Sequence, residues 1–145
     1  MIYCSIPKLF TSFITVIGPI LSINLAEIVL TELAKEFFKV GRLEHKKFFI
    51  QVNTGKEETK SGIYLEQLDE FIKYCTNDLS LNVIGLMCIP PIDDRPEDHF
   101  SILEKEAKKH NLSHLSMGMS ADYKAGVLSG ATTIRIGTLL FGERK

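Results

Sequence analysis

The chain has 145 residues, of which 45% are hydrophobic and 24% are charged, and its net charge is −1. This length predicts one domain with a buried core. The proportions of hydrophobic and charged residues are typical of an ordinary globular protein. A near-neutral chain without a basic stripe lacks the charge pattern that nucleic-acid binding and polybasic membrane contacts need. We therefore expect no partner of either kind.

Cysteine and histidine usage predicts neither a disulfide framework nor a metal site. The three cysteines are Cys4, Cys75 and Cys88. Their odd number and the absence of a C-x-x-C pair favour a reducing, cytoplasmic setting. His110 and His114 are four residues apart, which on one helix would suit a metal. Because the residues from Leu112 onward have a strand-like pattern, we interpret both as surface histidines near a helix end.

The first apolar segment, residues 9–26, contains no charged residue and reaches the length of a membrane span. Polar residues interrupt it, and Gly18-Pro19 would break a helix at its centre. We therefore interpret residues 13–17 as a short buried strand, with Ser22 capping a helix that ends at Gly41. A membrane or export segment remains the alternative. The apolar face of that helix is formed by Leu25, Ile28, Val29, Leu33 and Phe37.

Four further strands alternate with helices along the rest of the chain. The predicted strands are 47–53, 82–89, 112–116 and 132–136, and the predicted helices run over 65–75, from Pro96 to 107 and from Ser120 to Gly130. The connections are too long for hairpins, so the order predicts parallel strands with right-handed crossovers. A closed (β/α)₈ barrel needs eight strands. We predict one α/β domain over residues 1–145, a partial TIM-like barrel of about five βα units without the first ones.

Two strand ends carry the residue types of a phosphate site. After the strand that ends near Gly118, Ser120 offers a hydroxyl at a predicted helix start. After the next strand, Gly137 and Thr138 offer backbone N–H groups and a second hydroxyl. Since successive parallel strands end at the same edge, we expect both turns to hold one phosphate. Arg135 lies two residues before the glycine and so points to the same side of its strand.

Other chemistry is not indicated. Phosphate-loop and nucleophile-elbow motifs are absent from the sequence. Cys88 ends a strand, but no histidine is placed to activate it, so we interpret it as a small core residue. The acidic residues in 93–98 are interpreted as a solvated loop that leads into a helix.

The two strand ends resemble the closing signature of the YggS/PROSC family, M-G-M-S-x-D followed by R-I-G-T-x-x-F-G. Here the signature stands at residues 117–122 and 135–142. Two earlier segments also match in order and spacing, residues 51–62 and residues 85–90. The resemblance covers residues 47–145 strongly.

The resemblance implies a pyridoxal 5′-phosphate (PLP) binding barrel of the alanine racemase N-terminal-domain type. Members bind PLP and maintain its cellular balance, and most have no assigned robust enzyme activity. Ser120, Gly137 and Thr138 would grip the phosphate, and Arg135 would face the pyridine nitrogen. A permanent positive charge there disfavours a proton on the ring, which favours a carrier over an enzyme. The implied cofactor-binding residues are Met119, Ser120, Arg135, Gly137 and Thr138.

The chain departs from the family at its N-terminal end. In relatives the PLP lysine lies on the first strand, before any segment that aligns here, and the I-H-S-x-D motif is replaced by residues 17–21. We therefore interpret residues 1–21 as an atypical segment and expect PLP to bind non-covalently or weakly. Lys60 and Lys124 are interpreted as surface lysines rather than substitutes.

Three hypotheses for function follow. The preferred one is a PLP-homeostasis protein that keeps the phosphate-binding half and lacks the PLP lysine, so we do not expect catalysis. The second is a fold-type III PLP enzyme such as an amino-acid racemase, which needs a lysine and a second acid–base group. The third is an inactive fragment that pairs its open sheet edges with a partner chain or a second copy.

Overall fold

The computed structural model describes residues 15–17, 20–23, 47–57 and 61–142. The strands of its sheet are β1 (Thr15–Ile17), β2 (Ile20–Ile23), β3 (Lys47–Asn53), β4 (Ile63–Tyr64), β5 (Val83–Met87), β6 (His114–Met119) and β7 (Thr133–Arg135). The α-helices of the described ranges are α1 (Leu68–Lys73), α2 (Pro96–Lys109), α3 (Tyr123–Leu128) and α4 (Thr138–Phe141). A 3₁₀ turn (Leu65–Gln67) precedes α1, and a π-helical turn (Tyr74–Asp78) follows it.

The strands form one sheet in the order β1-β2-β3-β5-β6-β7, and β4 pairs with β3. Strands β2, β3, β5, β6 and β7 run parallel to one another, whereas β1 is antiparallel to β2. The predicted α/β class with a parallel sheet of five strands is confirmed. The predicted strand 13–17 is not one of the five, because it corresponds to the antiparallel β1, and β2 takes its place. Parallel strands that are joined by crossovers all end at the same edge of the sheet. This edge therefore collects the residues that follow β3, β5, β6 and β7.

The prediction that Ser22 caps a helix is wrong. Ser22 lies inside β2, where it pairs with Thr15 of β1 and with Phe49 of β3. β-Branched residues such as Ile20 and Ile23 favour strands, and pairing on both sides supplies backbone partners that a helix start would lack. The predicted helix after Ser22 and most of the apolar segment 9–26 lie outside the described residues. Among the helices that are described, none has the length and apolar character to cross a membrane.

The core lies between the sheet and helices α1 and α2. β3 is buried on both faces, as predicted for a parallel strand that is covered by helices. Pro96 occupies the first turn of α2, and the predicted inner face of that helix is confirmed, since Phe100 and Leu103 are fully buried. Glu104 and Lys108 pair at 2.7 Å on the outer, solvated face. The best-buried large side chains are Phe100, Ile50, Leu68, Leu86, Leu103 and Met117.

β6 starts two residues later than predicted and runs further, to Met119. The reason is local, because the Leu112 amide still donates to the Ala107 carbonyl at the end of α2. Asn111, with φ at 55°, makes the turn between helix and strand.

Candidate functional site

The candidate site lies at the edge where the parallel strands end. Thr54 follows β3, Cys88 follows β5, Met119 ends β6 and Arg135 ends β7. Met119 and Arg135 are register partners. The turns after β6 and β7 therefore lie side by side, as the order of the strands predicts.

The Ser120 hydroxyl joins these two turns. Its Oγ accepts hydrogen bonds from the Gly137 amide at 3.3 Å and from the Leu139 amide at 3.2 Å. The prediction that Ser120 caps the next helix is wrong, because α3 begins only at Tyr123 and its N-cap is Asp122. Ser120 instead places a polar oxygen where the amides of the neighbouring turn converge.

Gly118 and Asp122 shape the turn after β6. Gly118 has φ at +92°, and a Cβ built on it would lie 3.1 Å from the Tyr123 Cα, so glycine is required for α3 to pack this closely. The Asp122 carboxylate accepts the Met119 amide at 2.6 Å. Of the predicted cofactor-binding residues, Met119 therefore has its amide engaged within its own turn, and its side chain is exposed.

The turn after β7 is open on its outer side. A Cβ built on Gly137 would meet no described atom within 4 Å. The short helix α4 begins at Thr138, which is exposed, and the Gly137 carbonyl accepts the amides of Leu140 and Phe141. The turn is therefore open where a side chain on Gly137 would project, while the Gly137 and Leu139 amides bond to the Ser120 oxygen.

The Arg135 guanidinium bonds to Ser116 inside β6 and to Cys88 just after β5. Its Nη1 donates to the Ser116 carbonyl at 2.9 Å and to the Ser116 hydroxyl at 2.8 Å, and its Nη2 donates to the Cys88 carbonyl at 2.8 Å. These bonds use three of the five N–H groups of a guanidinium. The sequence predicted that Arg135 faces a ligand, but it did not indicate Ser116 or Cys88 as hydrogen-bond partners of the guanidinium.

Burial sets the electrostatics beneath this edge. Burial lowers the pKa of Arg135 from its ordinary value, and Cys88 and Asp122 oppose that shift. Burial also raises the pKa of the Cys88 thiol to about 12, although Arg135 acts in the other direction. Cys88 is fully buried and carries its proton at neutral pH, so it is no nucleophile. Its predicted role as a core residue is confirmed.

A buried polar group that sequence reasoning missed lies beneath the site. His99, in the first turns of α2, places Nδ1 3.0 Å from the Thr54 hydroxyl and Nε2 3.3 Å from the Asp94 carboxylate. His99 and Thr54 are both buried. The residues are 45 positions apart, so no local pattern would have joined them. A buried histidine on an otherwise apolar helix face was the available signal.

His110 and His114 do not share a face, as predicted, but neither is a simple surface residue. His114 packs its ring edge-on against Phe49 at 6.4 Å between ring centroids. His110 Nε2 lies 3.0 Å from the Asp69 carboxylate and 3.9 Å from that of Glu106, a set of donors that could hold a metal ion. The Lys109 ammonium already pairs with Asp69 at 2.7 Å, so we interpret this set as an ion-pair network.

Known proteins identify the family. The model of the alanine racemase N-terminal domain matches residues 26–145. A pyridoxal phosphate homeostasis protein of Aquifex aeolicus is 43% identical over 131 residues, which is 84% of this chain and 55% of the relative. A human protein of the same name is 35% identical over 120 residues, 72% of this chain and 42% of the relative. The chain spans about half the length of these curated relatives.

Solved structures agree with this result. PipY of Synechococcus elongatus PCC7942 with PLP bound is 25% identical, with a TM-score of 0.70 over 86% of this chain and 61% of PipY. Alanine racemase of Corynebacterium glutamicum is 19% identical with a TM-score of 0.56 over 77% of this chain and 33% of that protein, which shows a shared fold. The predicted resemblance is confirmed, and the chain belongs to the alanine racemase N-terminal domain family, where it is similar to the pyridoxal phosphate homeostasis proteins.

Proposed function

We propose that this chain binds PLP non-covalently and serves PLP homeostasis in the cytoplasm as a carrier rather than as an enzyme. The names of its curated relatives and the PLP-bound structure of PipY support this proposal. The observation that carries it is the meeting of the Gly137 and Leu139 amides at one point beside Ser120. We propose that residues 1–145 act as a single PLP-binding domain.

We propose that the phosphate group of PLP binds at these amides. Backbone N–H groups and a hydroxyl are the donors that hold phosphate at a strand-to-helix turn. The Ser120 oxygen now occupies the point where the two amides converge, and a phosphate oxygen there would accept the same bonds. The serine hydroxyl could then donate its own proton to the phosphate. The open side of Gly137 and the exposed Thr138 leave room for the group.

Arg135 would lie beneath the pyridine ring nitrogen. Two N–H groups remain on the guanidinium after its bonds to Ser116 and Cys88, and they can donate to an unprotonated ring nitrogen. When bound, PLP supplies an electron-withdrawing ring whose strength as an electron sink depends on a proton at that nitrogen. A cation that faces the nitrogen disfavours this proton. The arrangement therefore favours storage of the cofactor over its use.

We propose that no lysine of the described residues binds PLP covalently. Lys124 lies on α3 and is exposed, as predicted, and Lys60 lies outside the described residues. We therefore propose that the chain keeps the phosphate-binding half of the site and holds PLP without a covalent bond. Treatment of the complex with borohydride, followed by mass spectrometry, should return the mass of the protein alone.

A PLP titration followed by absorbance tests the function. We expect saturable binding that inorganic phosphate competes away. Ser120→Ala and Arg135→Ala should each weaken binding about tenfold, the loss expected for one strong hydrogen-bonding partner. Arg95→Ala is the matched control, since Arg95 is exposed just before α2, and it should bind like the wild type. Absence of phosphate-sensitive binding in the wild type would refute the proposal.

Two alternatives are separated by further measurements. Racemisation of L-alanine in the presence of PLP would favour the enzyme, and we expect none. Self-association is favoured by the apolar surface around β7, where Val127, Leu128, Leu139, Leu140 and Phe141 are exposed. We propose that this surface pairs with a second copy at high protein concentration, which sedimentation velocity can measure.

A further inference from the structure

We propose that Asp122 is a positioning residue for the PLP phosphate, because its carboxylate closes the turn after β6 and so holds the Ser120 hydroxyl against the amides of the turn after β7. This inference rests on the proposed function, and it concerns a side chain next to the groups that would touch the phosphate rather than one of those groups. Asp122 is half-buried between the end of β6 and the start of α3.

The turn that carries Ser120 is closed by two hydrogen bonds between its first and last residues. The Asp122 amide donates to the Met119 carbonyl at 3.1 Å, which is the bond of a β-turn. In the opposite direction, the Asp122 carboxylate accepts the Met119 amide at 2.6 Å. A charge-assisted bond as short as this is the stronger of the two. Ser120 is the second residue of this turn, so its position depends on both bonds.

The direction of the Asp122 carboxylate separates this role from ordinary helix capping. Aspartate is a favoured N-cap residue because its side chain normally accepts an amide in the first turn of the helix that follows. Asp122 occupies the N-cap position of α3, yet its side chain makes no capping hydrogen bond to that helix, all of which is described. The carboxylate instead bonds back to Met119. It therefore serves the turn that holds Ser120.

The packing of α3 on β6 makes Asp122 a fixed point. The Asp122 carbonyl accepts the Gly126 amide at 3.0 Å, the bond with which α3 begins. A Cβ built on Gly126 would lie 3.0 Å from the Met117 carbonyl oxygen, so the helix lies directly against the strand. Because α3 holds the main chain of Asp122, the carboxylate can hold the end of β6 in place.

Ser120 needs this support because its own bonds to the neighbouring turn are long. Its Oγ accepts the Gly137 amide at 3.3 Å and the Leu139 amide at 3.2 Å, whereas N–H···O bonds in proteins are most often about 2.9–3.0 Å. Such bonds hold the serine weakly, and the two amides can exchange them for bonds to a phosphate. A hydroxyl that accepts two amides still has its own hydrogen to donate. The Asp122 bond would keep Ser120 in place while the amides bind the anion.

Two substitutions of Asp122 separate its hydrogen bond from its charge. Asp122→Asn keeps a side-chain oxygen that can accept the Met119 amide and removes the charge, whereas Asp122→Ala removes both. The charge is a competing explanation, since burial lowers the pKa of Arg135 while Cys88 and Asp122 oppose that shift. An effect of the charge would be lost equally in Asp122→Asn and Asp122→Ala.

Asp98→Ala is the matched control at another helix start. The Asp98 amide donates to the Arg95 carbonyl at 3.2 Å, three residues earlier, as the Asp122 amide does to Met119. The Asp98 residue, however, is exposed in the first turn of α2. Asp98→Ala should therefore leave both the spectra of the site and the affinity for PLP as they are in the wild type.

The first measurement needs no ligand. In assigned ¹H–¹⁵N spectra of the protein without PLP, the Gly137 and Leu139 amides report the bonds to Ser120. In Asp122→Ala their resonances should move toward the positions that they take in Ser120→Ala, and in Asp122→Asn they should stay near the wild-type positions. Gly137 and Leu139 resonances that stay in place in folded Asp122→Ala would overturn the inference.

The second measurement is the PLP titration with these variants and with Ser120→Ala. Asp122→Ala should bind PLP about fivefold more weakly, and Asp122→Asn should bind within about twofold of the wild type. Because Asp122 acts through Ser120, the double variant with both alanines should lose only about tenfold, like Ser120→Ala alone. Independent roles would multiply to a loss of about fiftyfold. That result, or equal losses in Asp122→Asn and Asp122→Ala, would contradict the positioning role.

Failure of the proposed function would look different. The wild type would then show no saturable PLP binding, while the ligand-free spectra would still test the link between Asp122 and Ser120. An Asp122→Ala protein that melts earlier but keeps the wild-type affinity for PLP would show that the carboxylate only supports the fold, and this outcome would also overturn the inference.

Discussion

The centre of the sheet and its β7 edge are built in opposite ways. Around β3 and α2 the side chains are almost completely enclosed, and Phe100 has no exposed surface. Around β7 and α4 the apolar side chains face outward, and Phe141 is 85% exposed. The centre therefore provides the stability of the described fold, while the edge provides the groups that can meet a ligand or another chain. The candidate site at the edge therefore depends on the packing of buried residues that lie several strands away.

Arg135 shows how the two regions are connected. It belongs to the edge strand, yet its guanidinium is held by Ser116, which is buried inside β6, and by Cys88, which is buried just after β5. A charged side chain can stay in such a place only when acceptors surround it. Changes in the centre should therefore reach the edge through these acceptors, while changes at the outermost edge should leave the centre unaffected.

The largest effect is expected from Phe100→Ala in α2. Loss of a fully buried phenyl ring leaves a cavity, so the free energy of unfolding should fall by about 3–5 kcal/mol. Urea denaturation measures this change. Phe141→Ala is the matched control at the edge and should change the free energy by less than about 0.5 kcal/mol. Equal losses for the two variants would contradict the contrast between the regions.

A smaller effect is expected from Gly118→Ala, at the junction of the two regions. Gly118 and Gly130 both have positive φ, and a Cβ on Gly118 would crowd the Tyr123 Cα, whereas one on Gly130 would meet no described atom within 4 Å. Alanine at either position should cost about 1–2 kcal/mol for the backbone alone, and Gly118→Ala should cost about 1 kcal/mol more. Thermal melting of the two variants separates backbone strain from crowding.

Alkaline pH should weaken the centre through its buried thiols. Burial raises the pKa of Cys75 to about 12 from an ordinary value of 9.0. A raised pKa in the folded state gives stability that is complete below pH 9 and is lost as the pH rises toward 12. At pH 10 the loss should be about 1 kcal/mol for this thiol. The fall in unfolding free energy between pH 8 and pH 10 should be smaller by this amount in Cys75→Ala.

The smallest effect on stability is expected from polar substitutions at the outermost edge. Leu140→Ser and Phe141→Ser should change the free energy of unfolding by less than about 0.5 kcal/mol, because both side chains are already exposed. They should nevertheless reduce concentration-dependent association, which sedimentation velocity measures. If association persists unchanged in both variants, the proposed pairing through this edge is wrong.

Elements with a strong local pattern were predicted well. β3 was predicted with the bounds that the structure has, and the inner face of α2 was also correct, because burial on both strand faces and a helical repeat leave clear patterns. The structure placed Ser22 in a strand and moved the start of α3 from Ser120 to Tyr123. Both errors concern hydroxyl residues, which can cap a helix or bond elsewhere with equal ease.

The candidate site was predicted in part. The sequence named Ser120, Arg135 and Gly137, and the two turns do come together. The sequence could not identify Ser116 and Cys88 as the acceptors of Arg135, because every residue has a backbone carbonyl and the residue type does not show which carbonyl accepts a hydrogen bond. The pairing of Thr54 with His99 was missed for a similar reason, because it joins two loops that are distant in the chain.

The sequence by itself determined the alternation of strands and helices, the apolar faces of the core and the glycine and hydroxyl residues at two strand ends. These are properties of short segments, which repeat with the periods of 2 and 3.6 residues that side-chain geometry imposes. Only the tertiary structure decided which hydroxyl meets which amide, and which carbonyls hold Arg135. Such contacts depend on the register between strands that are distant in the chain, and a local pattern does not encode this register.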